Sequence, residues 1–282
     1  MPRTPDDFLE CIVYAYPTVE AAEQGSKAGG SGFLIVVESE KYPKLGSRYL
    51  VTNSHVADEA GAIRVNTNDG GSGVIPVVRG QWFHHPKGDD VAILPLPLSA
   101  AQFKFKQLPT RYFLTREDIS RLNIGPGDDI YFMGRFIAHD GTQKNQPVVR
   151  FGSIAMMPGE PVYQKERNFN QESFLVEARS LSGFSGSPVM IYIPPFTNRF
   201  SEGAFKADAG GLKDDTFTAL LGIDWGTLRL GDEVLSHSGI MGVVPVWKLQ
   251  ELINFGPVVA ARDEVLEAHA QREKASPSEG GG

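Results

Sequence analysis

Residues Val51–Ala57 read V-T-N-S-H-V-A, Asp90–Leu94 read D-V-A-I-L, and Gly183–Pro188 read G-F-S-G-S-P. In that order they supply a histidine, an aspartate and a serine. A serine hydroxyl attacks at neutral pH only when an imidazole takes its proton, and the imidazole needs a carboxylate to fix its tautomer and stabilise its charge. His55 stands where an apolar strand, Arg48 to Thr52, turns into a short helical piece, so rigid backbone positions it. Asp90 directly precedes the apolar run Val91 to Leu94, and a carboxylate entering the edge of a buried strand needs a partner. Its neighbour Asp89 is a rival for that role. Around Ser185, the glycines Gly183 and Gly186 permit a tight turn from which the hydroxyl projects while backbone N–H groups converge on one point, as in an oxyanion site.

Each segment alone also reads as ordinary structure: a loop histidine, a strand-start acid, a turn before a strand. The three together are far more specific. His84, His85, His139, His237 and His269 lack a comparable strand-end setting, and His84-His85-Pro86 reads as a surface turn.

The 282 residues, 41% of them apolar, suffice for a sizeable core in one or two domains. The 27 basic and 34 acidic residues give a net charge of −7 without a basic stripe, which argues against nucleic acid as a partner. No apolar stretch reaches the ~20 residues of a membrane span. A single cysteine, Cys11, excludes an internal disulfide, and the acidic start M-P-R-T-P-D-D lacks the pattern of a secretory signal. Both favour a cytoplasmic location.

Short β-rich runs recur between turn signals, at Cys11–Tyr16, Gly32–Val37, Arg48–Thr52, Val74–Val78, Val91–Leu94, Ile130–Met133, Val148–Ile154, Phe174–Ala178, Val189–Ile193, Thr218–Ile223 and Gly239–Val244. Such a series describes a sandwich or barrel. Helical signal comes late: Pro245 precedes a helix over Val246 to Asn254, which Gly256 is placed to end. A charged helix over Val258 to Glu273 and a disordered tail from Ser276 follow. Pro194 to Asp215, rich in Pro, Gly and charge, reads as a long surface loop.

With these motifs in view, the chain resembles a trypsin-like (chymotrypsin-fold) serine peptidase, closest in style to the bacterial, disulfide-free HtrA/Deg-like catalytic domains. The matching segments are G-S-G-F-L-I (Gly30–Ile35), Y-L-V-T-N-S-H-V-A (Tyr49–Ala57), D-D-V-A-I-L, G-F-S-G-S-P, I-D-W-G (Ile223–Gly226) and G-I-M-G-V-V-P (Gly239–Pro245). The order His, Asp, Ser is the family's, and Ser187 occupies the place where an α/β-hydrolase elbow has its last glycine.

The resemblance implies an all-β fold of two six-stranded antiparallel β-barrels with a C-terminal helix. The first barrel, 1–110, would carry His55 and Asp90; the second, 111–256, would carry Ser185; 257–282 would form the helix and tail. Ser185 would be the nucleophile, His55 the general base and acid, Asp90 its orienting partner, and the N–H groups of Gly183 and Ser185 the oxyanion hole. The substrate would be a protein or peptide, and the chemistry needs no metal or organic cofactor.

The substrate pocket would be walled by Arg179, Ser180, Leu181 and Ser182, by Trp225 and Gly226, and by the strand near Gly239 to Gly242. Arg179 either favours an acidic side chain at the cleavage site through an ion pair or points away and leaves a pocket for small or apolar side chains. Asp224, where the family usually carries a small hydroxylated or apolar residue, could perturb the triad or point outward. No PDZ domain is expected after Pro245, so control would fall to loops or a regulatory protein partner. The alternative function is a catalytically silent trypsin-like binding module.

Overall fold

The computed structural model describes residues 3–26, 28–39, 41–42, 45–139, 141–178, 181–194, 216–229 and 237–275. Arg179 and Ser180, the predicted loop beyond Pro194 and the predicted tail lie outside them. The N-terminal half holds β1 (Ile12–Tyr16), β2 (Gly30–Glu38), β3 (Gly46–Thr52), β4 (Ala62–Asn66), β5 (Ser72–Pro76), β6 (Phe83–His84), β7 (Ala92–Pro95) and β8 (Leu108–Pro109). They form an eight-stranded sheet in the order β5-β4-β1-β2-β3-β7-β6, with β8 parallel to β2.

The other half holds β9 (Asp129–Gly134), β10 (Val148–Met156), a separate hairpin of β11 (Val162–Gln164) and β12 (Phe169–Gln171), then β13 (Phe174–Glu177), β14 (Pro188–Ile193), β15 (Phe217–Arg229) and β16 (His237–Pro245). Six of these close into a barrel in the order β10-β13-β16-β15-β14-β9. The structure is thus β-rich with one closed six-stranded barrel and a C-terminal helix, and the N-terminal half holds a sheet of eight strands.

All eleven predicted strands are present. Val, Ile, Leu and aromatic residues dominate them because branched and flat side chains pack well on a pleated surface. Alternation then divides the N-terminal sheet between two cores. Phe33, Ile35, Tyr49, Val51, Val91 and Ile93 point into a large core shared with the barrel. Leu34, Leu50, Ala92 and Leu94, each one residue out of step, build a second core with Ile63 and Trp82. The two halves therefore share apolar interior along β2, β3 and β7, the strands that position the functional segments.

Among the described residues, six α-helices accompany the strands: α1 (Asp6–Leu9), α2 (Val19–Gln24), α3 (Ser54–Glu59), α4 (Arg116–Arg121), α5 (Val246–Ile253) and α6 (Gly256–Ala275). Of these, α1, α2 and α4 carry no signal that was read from the sequence. In α2, Thr18 Oγ1 accepts from Ala21 N at 3.1 Å, a real N-cap on a helix only six residues long. On α5, Val246, Leu249, Leu252 and Ile253 are buried along one face. Pro245 and Asn254 cap α5, and Gly256 opens α6 where the sequence placed it as the end of the preceding helix.

Cys11 is buried and its Sγ donates to Asp7 O at 3.2 Å. Burial first, and the nearby charges of Asp7 and Glu10 second, push its thiol up to about 12. The thiolate is the reactive form. Iodoacetamide at pH 8 is therefore expected to leave Cys11 unmodified in the folded protein and to alkylate it fully in urea, as read by intact mass.

Candidate active site

β3 delivers His55 to the first turn of α3. Asn53, at the N-cap, uses its side chain for another purpose: Nδ2 donates to Asp90 O at 2.9 Å, and Ser54 Oγ donates to Val91 O at 3.1 Å. These two bonds hold the helix start against the entry of β7, so His55 and Asp90 meet. Nδ1 of His55 lies 2.8 Å from Asp90 Oδ2, and His55 N donates to Oδ1 at 3.2 Å. An ionised carboxylate only accepts, so Nδ1 carries the proton and the neutral ring keeps its lone pair on Nε2.

The serine segment leaves β13 and enters β14. Ser31 on β2 holds it in place: its N–H donates to Ser185 O at 2.8 Å, and its Oγ donates to Gly183 O at 2.7 Å while accepting from Arg135 N at 2.8 Å. The turn needs its glycines. Gly186 has φ +89° and a Cβ there would lie 2.0 Å from Ser31 O; Gly183 has φ +98° with Arg135 O 2.8 Å from the equivalent point. Within the turn, Phe184 N donates to Leu181 O, Gly186 N to Asp224 O and Ser187 N to Phe184 O. Among the described residues, the N–H groups of Gly183 and Ser185 donate to nothing. Two free donors on one turn beside a serine are the makings of an oxyanion site.

Ser185 and His55 share the wall of a cavity of about 420 Å³, with Leu181, Ser182, Trp225 and Gly226 farther along it. A second cavity of about 230 Å³, lined by Tyr16, Gly29 and Val56, also reaches His55 and Ser185. The cleft thus extends to both sides of the serine. Among the described residues no hydrogen bond joins Ser185 Oγ to the imidazole, a contact that commonly tightens only around a bound substrate. A larger cavity, about 500 Å³, opens between β3 and α6 and includes none of these residues.

The structure also sorts the rivals. Asp89 pairs with His85, Nδ1 to Oδ2 at 2.9 Å, and Lys248 Nζ lies 3.3 Å from the same oxygen. His85 is fully buried, so the surface turn expected at His84-His85 is corrected: Pro86 turns the chain, but His85 points inward to its own acid. Asp224 is buried with Oδ1 accepting from Gly226 N at 2.8 Å, an anchor for the Trp225-Gly226 wall. Trp225 packs over Gly242, whose Cβ would stand 2.1 Å from the indole, and its Nε1 donates to Ser173 Oγ at 3.0 Å.

The sequence reading missed Gln164 and Arg167, which also touch Asp90: Gln164 Nε2 donates to Oδ2 at 3.0 Å, and Arg167 Nε lies 3.6 Å from Oδ1. Nothing local marked them, since they lie in a short hairpin with no strong strand pattern. Ser31 lies within G-S-G-F-L-I, but its hydroxyl's partners lie more than a hundred residues downstream.

The family model of the trypsin-like peptidase domain matches residues 30–190, which contain all three segments. The chain belongs to the trypsin-like peptidase family. Among solved structures, this trypsin-like peptidase is similar to the MamO protease domain from Magnetospirillum magneticum, at 17% identity and TM-score 0.52 over 86% of this chain and 96% of that one. It is also similar to the HtrA-type protease AlgW with tripeptide, at 19% identity and TM-score 0.50 over 89% of this chain. It matches 62% of the AlgW chain. At these identities the likeness is one of fold. No curated protein matches the sequence significantly.

Electrostatics set the direction of pH dependence. Burial alone would push the His55 imidazole down, but the hydrogen bond and charge of Asp90 outweigh it and raise the group above its ordinary 6.5, with Arg167 opposing and Glu59 assisting. Burial would likewise raise Asp90, yet the His55 bond and charge, Arg167 and Gln164 hold it below its ordinary 3.8. The Asp90 contribution to stability is therefore present above pH 3.8 and lost as pH falls through its lower folded value, whereas that of charged His55 is complete below 6.5 and lost as pH rises through its higher one. A base must be neutral to accept a proton. Labelling of Ser185 by a fluorophosphonate is expected to rise with pH through a midpoint above 6.5, and Asp90→Asn to slow it about 10⁴-fold at pH 8, both read from pH-dependent labelling rates.

Proposed function

We propose that this trypsin-like peptidase is a serine endopeptidase acting on protein or peptide bonds. The observation that carries the reading is the pair of uncommitted N–H groups on Gly183 and Ser185 beside the hydrogen-bonded His55–Asp90 pair. A binding module has no physical need to keep two buried-turn donors free.

His55 Nε2 takes the proton of Ser185 as Oγ attacks the scissile carbonyl. The negative oxygen of the tetrahedral intermediate accepts from Gly183 N and Ser185 N, each such donor being worth about 3–4 kcal/mol in comparable sites. Asp90 stabilises the imidazolium, which then protonates the leaving amine. A water activated by the same imidazole releases the acyl group. No step calls for a metal or organic cofactor.

A cleft open on both sides of Ser185 suits cleavage within a chain, and the likeness to an HtrA-type protease solved with a tripeptide supports a peptide substrate. Leu181, Ser182, Trp225 and Gly226 are proposed as pocket walls, with Arg179 and Ser180 completing them. In this reading the sheet of residues 1–110 stands for the family's first barrel, 111–256 form the second and 257–282 the C-terminal helix and tail. The lone buried thiol of Cys11 supports a reducing, cytoplasmic setting.

Fluorophosphonate labelling of wild type and Ser185→Ala tests the proposal: labelling of the wild type alone is expected, together with cleavage of an unstructured protein such as casein. A well-folded wild type that neither labels nor cleaves would move the assignment to a silent binding module. A peptide library scan then separates the two readings of Arg179: loss of a preference for Asp or Glu in Arg179→Ala supports the ion pair, and an unchanged profile without such a preference supports the apolar pocket.

A further inference from the structure

The β11–β12 hairpin pairs with neither the N-terminal sheet nor the barrel, yet three of its side chains converge on Asp90. Besides Gln164 and Arg167, Gln171 Oε1 accepts from Asp90 N at 2.8 Å. Both glutamines are buried, so their amides have given up water for these contacts. Their orientations are fixed by what lies at the other end. Gln164 Oε1 faces Arg167 Nη1 at 3.5 Å, leaving Nε2 for the carboxylate. Gln171 Nε2 donates to Asp89 Oδ1 at 2.8 Å, leaving Oε1 for the Asp90 N–H.

Arg167 is anchored as well: Nη2 donates to Gly88 O at 3.1 Å, and the guanidinium lies 5.5 Å from the centre of the Phe169 ring. It also lines the cavity that holds His55 and Ser185. Oδ2 of Asp90 thus receives His55 Nδ1 and Gln164, and Oδ1 receives His55 N and faces Arg167.

We propose that Gln164 and Arg167 are positioning residues of the triad: Gln164 fixes the rotation of the Asp90 carboxylate, and the Arg167 charge sets how readily His55 gives up its proton. The inference rests on the peptidase reading for its consequence, not for its geometry. The charged groups facing His55 are Asp90, Arg167 and Glu59, and Asp89 on the neighbouring turn is engaged by His85 and Lys248. Asp90 favours the imidazolium; a guanidinium beside the same carboxylate opposes it. The hairpin therefore keeps His55 neutral, and so able to act as a base, at lower pH than Asp90 alone would allow.

The test compares wild type, Arg167→Gln, Arg167→Lys and Gln164→Leu by NMR titration of the His55 imidazole and by the pH dependence of fluorophosphonate labelling. Arg167→Gln is expected to move both midpoints to higher pH by about half a unit to one unit, and Arg167→Lys to restore the wild-type value. Arg167→Met, neutral and of similar reach, provides the same comparison if the glutamine variant folds poorly. Gln164→Leu is expected to slow labelling about tenfold and to shift the low-field Nδ1–H resonance of His55. Coincident titrations for wild type and the neutral Arg167 variants, with an unshifted resonance in Gln164→Leu, overturn the proposal. If the wild type does not label but the His55 titration still moves, the peptidase reading fails and the positioning role stands; if the wild type labels and no midpoint moves, the reverse holds.

Discussion

The charge on Asp90 is the constraint around which the site is built. Its carboxylate has no exposure to solvent, and an ion so placed costs several kcal/mol unless neighbours replace the lost water. Four groups do so, two from His55 and two from the hairpin. The backbone of the same residue is also engaged, through Asn53 on its carbonyl and Gln171 on its N–H. Removing one partner from such an ion typically costs about 3–5 kcal/mol, so β3, α3, β7 and the hairpin are bound into one unit by a single side chain. The geometry that catalysis needs and the geometry that satisfies a buried charge are here the same.

The serine is tied to this unit by different means. Ser31 donates its N–H to Ser185 O and its hydroxyl to Gly183 O, and its carbonyl accepts from Thr52 Oγ1 on β3 at 2.7 Å, so one residue of β2 holds the nucleophile turn at two points and ties it to the strand that leads to His55. Close approach is the price, and it explains two glycines by contact alone. At Gly134 a Cβ would stand 1.9 Å from Ser187 Oγ and 2.7 Å from Ser31 Oγ, and at Gly186 it would meet the Ser31 carbonyl. Gly134 and Gly186 carry no side chain, so Ser31 of the N-terminal sheet comes within hydrogen-bonding distance of the serine turn.

The parts legible in the sequence were those with local signatures. Apolar runs bounded by turns located the strands, and a histidine at a strand end, an acid before an apolar run and a serine between glycines located the three segments. What escaped was set by distance along the chain. Gln164 and Arg167 act on an aspartate more than seventy residues upstream, and no feature of Q-K-E-R distinguishes them from a solvated turn. Short helices such as α1 and α4 escaped because few residues leave little periodicity to read. His85 was misread because His-His-Pro is a turn signal, while its burial depends on Asp89, Lys248 and the distant Gln171.

That misreading bears on why one of two adjacent His–Asp pairs is suited to chemistry. In both, Nδ1 meets a carboxylate oxygen at nearly the same separation, 2.8 Å for His55–Asp90 and 2.9 Å for His85–Asp89. The difference lies at the other nitrogen. The His85 side chain is completely buried, with Nε2 3.5 Å from Glu251 Oε2 on α5, and the Asp89 oxygens are held by Lys248 and Gln171. No substrate atom can approach that ring. The His55 side chain is 37% exposed and lines both cavities that meet at Ser185. A buried carboxylate orients an imidazole equally well in either place, and access to Nε2 alone decides which pair can carry a proton to and from a reacting molecule and which one fastens a turn to a helix.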